Sequence, residues 1–228
     1  MPAKQSGPAT NPREIDRFDD GVGWIAYPDE GMQRASHALV GNEDEVWLVD
    51  PVDAEGVEDL YADLGDVVGV VVCLDRHRRD AATVARRHDV PVYVPEWMAD
   101  SVGDFDAEVE TFGAGLPDSP FRAIPVIDNP IWSEVALYDP ERRTLLVAEA
   151  VGTTDLFRVD PERLGVHPML RPFPPREQFR DVSPDRVLVG HGAGVMEDGA
   201  EALREALEGS RRRMPSAYLK AGKTMLPI

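Results

Sequence analysis

The chain has 228 residues, 43% hydrophobic and 29% charged, which is enough apolar material for a sizeable core without disulfides or a structural metal. Its 42 acidic residues outnumber 24 basic ones, and the formal net charge of −18 disfavours binding to nucleic acid or to anionic lipid. The basic residues are 21 Arg and 3 Lys. Such a balance suits a very salty cytoplasm, where 1 M salt screens charges beyond ~3 Å; an acidic surface that recruits a basic partner is the alternative.

Residues 1–20 are expected to form a flexible arm; their first 17 are polar and lack the apolar core of a secretory signal. Short strands are predicted at 24–27, 37–40 and 46–49, with 41–45 as a hairpin turn and Asp50 at the tip of the last strand. Residues 55–64 carry Val57, Leu60, Tyr61 and Leu64 at helical spacing. The run 67–74 is β-branched throughout much of its length, the pattern of a strand buried on both faces. It contains Cys73, the lone cysteine, so neither an intrachain disulfide nor a cysteine zinc cluster can form. It is also far shorter than the ~20 residues of a membrane-spanning helix. A helix at 80–88 and a strand at 90–94 follow, a rhythm that implies a partly parallel sheet.

Strands are predicted again at 109–112, 121–126, 134–138, 144–148 and 186–189, with a closing helix at 199–212 and a C-terminal tail at 214–228. The pattern predicts an α/β fold of two sheets face to face with helices outside, in a single domain spanning 21–213. Four strand tips carry groups suited to a metal pocket of oxygen and nitrogen donors: Asp50, Asp75-Arg76-His77-Arg78-Arg79-Asp80, Glu149 and Gly190-His191-Gly192. Taken singly, Asp75 or Asp80 also suits a helix cap, and His77 or His191 a turn. His37, His88 and His167 are assigned structural roles. The segment 151–175, with Phe157, Met169 and Phe173, is expected to cover the site, while Arg158, Arg163 and Arg171 are either solvated or available to a carboxylate or phosphate.

Across residues 22–212 these segments resemble the metallo-β-lactamase-fold superfamily, which includes glyoxalase-II-like thioesterases, lactonases and β-lactamases. The resemblance implies a four-layer αβ/βα sandwich of two mixed sheets. His37 through Asp50 resembles the family's opening hairpin, whose final Asp supports the site. Residues 70–80 fall where members carry His-x-His-x-Asp-His; the segment ending at Glu149 falls where a metal-bridging Asp follows a strand; His191 stands for the last histidine.

The departures are as informative. Only His77 survives from the first motif, with Asp75 in place of a histidine, Arg79 in place of the aspartate and Asp80 in place of the last histidine. Asp128-Asn129-Pro130 stands where another histidine is expected, and Glu149 replaces the bridging aspartate. What remains implies at most one weakly held divalent metal (zinc, manganese or iron), bound by Asp80, Glu149 and His191 with His77 alongside, Asp75 a candidate catalytic group, and Asp50 and Arg79 supporting. The activity implied is hydrolysis of an ester, thioester or lactone-type small molecule by a cytoplasmic monomer or homodimer. The alternative is a metal-free ligand-binding or scaffold protein, in which Arg76, Arg78 and Arg79 replace metal charge against an anionic ligand.

Overall fold

Seven strands follow one another across the first sheet: β1 (Arg13–Phe18), β2 (Gly21–Ile25), β3 (Ala35–Val40), β4 (Glu45–Val49), β5 (Asp66–Val71), β6 (Val92–Pro95) and β7 (Val109–Phe112). The first four pair antiparallel and the last four parallel, with helix α1 (Ala81–His88) in the β5–β6 crossover and the short α2 (Ala99–Val102) before β7. The second sheet, in the order β13-β10-β9-β8, combines β8 (Arg122–Asn129), β9 (Trp132–Asp139) and β10 (Thr144–Val147) with the late strand β13 (Arg186–Val189), which joins β10 in parallel. A small pair, β11 (Val151–Gly152) and β12 (Gly165–Val166), lies between them in sequence, and α3 (Gly199–Met225) closes the chain. This computed structural model describes residues 2–225 other than Glu43, with side chains as far as Lys220.

Alternation along the strands builds the layers. Val46 and Leu48 face α1 through a core containing Val70, Val72, Val84 and Ala85, while Trp47 and Val49 face the second sheet. There they meet Val135, Leu137, Leu146 and Leu188, and the alternate residues Ala136, Leu145, Val147, Val187 and Val189 pack under Leu203 and Leu207 of α3. Strands buried on both faces explain the near-continuous apolar runs. The result is a helix–sheet–sheet–helix sandwich. Among the described residues no helix is long and apolar enough to cross a membrane.

Three expectations are corrected. The stretch 1–20 is not a loose arm: β1 edges the first sheet, and residues 2–9 lie along the neighbouring loop through Gly31 N–H to Pro2 O (2.8 Å), Met32 N–H to Ala3 O (3.0 Å) and Glu55 N–H to Ala9 O (2.8 Å). The helix expected at 55–64 reduces to a single 3₁₀ turn, Val57–Leu60, because Gly56 is left-handed (φ 74°) and interrupts the first turn. The closing helix does not stop at 212 but runs through Pro215 to Met225. Tertiary contacts offset the donor that Pro215 lacks: Ala217 is buried, the Tyr218 hydroxyl donates to Pro168 O (3.1 Å) and Lys220 pairs with Asp155 (2.7 Å). Met1 of the expected arm, Glu43 of the hairpin turn and residues 226–228 of the tail lie outside the described residues.

Candidate metal centre

Parallel pairing brings the C-terminal ends of β4 and β5 together in one sheet, and those of β10 and β13 together in the other. Asp50 follows β4 directly, His77 lies in the loop after β5, and Glu149 and His191 stand two residues beyond β10 and β13. Gly190 permits the close approach: a Cβ there would lie 2.2 Å from Ala148 O and 3.3 Å from His77 Cε1.

His77 Nδ1 lies 2.8 Å from Asp50 Oδ2, and Asp50 Oδ1 accepts the Cys73 N–H at 2.8 Å. His191 Nδ1 lies 2.9 Å from Met32 O, a carbonyl that can only accept, so this nitrogen carries the ring hydrogen. Burial drives both imidazoles well below their ordinary pKa, reinforced by Arg79 at His77 and by His77 and Arg79 at His191. Burial also raises Asp50 to about 6, so near neutral pH it is ionised and takes the His77 Nδ1 hydrogen. Both Nε2 atoms are therefore bare lone pairs, and they stand 3.3 Å apart. Glu149 Oε1 is 3.7 Å from His191 Nε2, while Oε2 is forked by Arg76 at 2.9 and 2.7 Å. Burial raises the Glu149 pKa, opposed by Arg76.

The three ligand atoms of His77, Glu149 and His191 lie within 4.8 Å of one another. Two nitrogens bound tetrahedrally at 2.0–2.1 Å from one ion would be about 3.3 Å apart, so the opposed lone pairs match a ligand edge. Two imidazoles and one carboxylate suit zinc, and equally iron or manganese. The group fits one metal ion. Among the described residues no second such group occurs, and the Arg79 guanidinium beside the histidines donates to the carbonyls of Ala35, Asp50 (2.7 Å) and Gly190 (3.0 Å).

Asp75 and Asp80, expected as catalytic group and ligand, stand outside this group. Asp75 Oδ2 accepts the Ser133 N–H (2.9 Å) and Oδ1 pairs with Arg76 (3.3 Å). Asp80, at the start of α1, accepts the Asp53 N–H (2.9 Å) and lines a separate groove. Arg171 is not open to a ligand either, being fully buried against Glu162 at 2.7 Å, and Arg163 donates to the Glu197 carbonyl. Phe157 of the segment 151–175 stacks on His191 with ring centroids 5.6 Å apart, whereas Met169 and Phe173 are exposed.

Sequence reasoning missed four residues. His167, assigned a structural role, packs between Trp132 and Phe157 with Nε2 4.0 Å from Glu149 Oε1. Its Nδ1 accepts the Met169 N–H (3.3 Å) and burial lowers its pKa to about 4, so the neutral ring turns Nε2–H toward Glu149. Glu134, buried and pushed up to about 7 by burial, accepts the backbone N–H of Glu149 and Ala150 and the Trp132 indole, fixing the tip that carries Glu149. Lys4 and Arg34 line the small cavity over the histidines. An acidic residue inside an apolar strand was the available signal for Glu134; the other three have no local signal.

No family model matches the sequence, and no curated protein matches it. Solved structures do resemble its fold. A metallo-β-lactamase from Pontibacter korlensis superposes with a TM-score of 0.58 at 14% identity, covering 88% of this chain and 99% of that one. The chemotaxis sensor ODP, solved as a peroxy diiron species, gives 0.58 at 15% identity over 87% and 94%. TTHA1623 in a di-iron-bound form gives 0.55 at 20% identity over 75% and 93%. The chain has the metallo-β-lactamase fold, with a His–Glu–His cluster at the edge where its two sheets meet.

Proposed function

We propose that the protein is a mononuclear metal-dependent hydrolase acting on an ester, thioester or lactone-type small molecule. The observation that carries this reading is the pair of Nε2 atoms facing each other 3.3 Å apart, both rings being held from behind by Asp50 and Met32. Without a cation or proton between them, two acceptors face each other in a buried site, at a cost typical of unsatisfied polar groups. A divalent ion held by His77, Glu149 and His191 would supply Lewis-acid polarisation of a carbonyl and an acidified water. Asp50 fixes the tautomer and plane of His77, and Arg76 holds Glu149 by one oxygen so that the other faces the histidines. Arg76 is itself seated 4.1 Å over the Trp132 ring. His167 presents a neutral N–H beside Glu149, positioned to steady negative charge forming on a substrate oxygen.

The second reading, a metal-free binder, is favoured by Arg79, whose charge sits next to the histidines. A panel of aryl esters, thioesters and lactones, assayed with metal-loaded wild type, His77→Ala and His191→Ala, separates the two. Turnover lost in both variants supports the hydrolase; a wild type inert after stoichiometric loading contradicts it.

A further inference from the structure

The cavity over the histidines measures about 130 Å³ and is lined by Lys4, Arg34, Arg76, Arg79 and Met32 together with the three candidate ligands. In a chain of net charge −18, four cationic side chains against one carboxylate is a strong local reversal. Two of the four are neutralised nearby. Arg34 pairs with Glu30 (2.8 Å) and Arg76 with Glu149 (2.7 Å). Lys4 and Arg79 have no carboxylate within ion-pair distance among the described residues, and Arg79 Nε is shielded from solvent with no hydrogen-bond partner.

Lys4 is placed there by its neighbours. Pro2 and Ala3 offer their carbonyls to Gly31 and Met32, Gln5 N–H donates to Glu30 Oε2 (3.0 Å), and Arg34 donates to Gln5 O (2.9 Å). Met32 joins this strap to the centre, since its N–H takes Ala3 O and its carbonyl takes His191 Nδ1. The cavity opens to solvent on one side and, at about 130 Å³, has room for a small anionic group such as a carboxylate or phosphate.

We propose that this cavity is an oxyanion subsite in which Lys4, carried on the strap, and Arg79 bind a carboxylate or phosphate group of the substrate. The proposal rests on the hydrolase reading and narrows its substrate to a molecule with an anionic group close to the scissile carbonyl. Lys4 is then a specificity-determining residue rather than part of the metal cluster.

The test uses the full chain after chelation, with inorganic phosphate and acetate titrated separately at fixed chloride and followed by melting temperature and calorimetry. The expected result is saturable binding of at least one anion, weakened about tenfold or more in Lys4→Ala and largely recovered in Lys4→Arg, as one charge-assisted contact requires. Preference between the probes tells a phosphate group from a carboxylate. No saturable binding of either anion, or equal affinity in Lys4→Ala and wild type, overturns the proposal. Metal content, measured separately, reports on the hydrolase reading, so the two can fail independently.

Discussion

His77 and His191 follow strands of opposite sheets, yet their Nε2 atoms stand 3.3 Å apart with both Nδ1 atoms turned away into hydrogen bonds. The relationship depends on backbone as much as on side chains. Gly190 leaves no room for a Cβ, which would meet Ala148 O at 2.2 Å. Gly190→Ala should therefore cost about 1–3 kcal/mol or more and push β13 away from His77. Denaturant melts with metal analysis check this; a variant as stable and as metal-competent as wild type would contradict the close approach.

Glu134 makes stability depend on pH. Its folded pKa of about 7 lies above the ordinary 4.5, so between those values the native state holds a proton that the unfolded chain has lost. This contribution falls as pH rises through the window, by about 3 kcal/mol in all. Asp50, raised from 3.8 to about 6, adds a change of the same sign. Relative to Glu134→Gln, metal-free wild type should lose stability from pH 4.5 to 7. A stability difference that stays flat across this range would show that Glu134 does not titrate there.

The Arg171–Glu162 pair holds the segment over His191 in place, since Arg171 also donates to Phe157 O at 2.5 Å. Arg171→Met leaves the buried Glu162 carboxylate with only the Val159 N–H (2.8 Å) and the more distant Arg213 (3.7 Å), and a loss of about 3 kcal/mol is expected in urea unfolding. A change below 1 kcal/mol would be inconsistent with a pair this enclosed.

The net charge of −18 predicts that melting temperature rises with potassium chloride, as screening relieves repulsion among carboxylates. Circular dichroism across a salt series measures it. A native spectrum and unchanged melting point in dilute buffer would refute this expectation.

The sandwich was legible because alternate residues of β4, β5, β10 and β13 are apolar on both faces, and chemistry-bearing residues cluster just beyond their ends. Asp50, His77, Glu149 and His191 could be singled out on that ground. The ligand set could not, because Asp80 and Glu149 look alike in sequence; only folding turns one toward the Asp53 N–H and the other toward His191. The Lys4 strap was illegible for a related reason. Its polar, proline-bearing sequence has no periodicity, and its position comes from contacts with residues more than 20 places away. Residues 55–64 carry helical apolar spacing, but the left-handed Gly56 leaves them only the Val57–Leu60 turn.

Elemental analysis after metal loading and dialysis, made on wild type, His77→Ala, His191→Ala and Asp80→Ala, tests the His77–Glu149–His191 centre most directly. One ion is expected per wild-type chain, lost in both histidine variants and retained in Asp80→Ala. Two tightly held ions in the wild type, no ion under any loading condition, or an ion kept by His77→Ala and His191→Ala would contradict a single His77–Glu149–His191 centre.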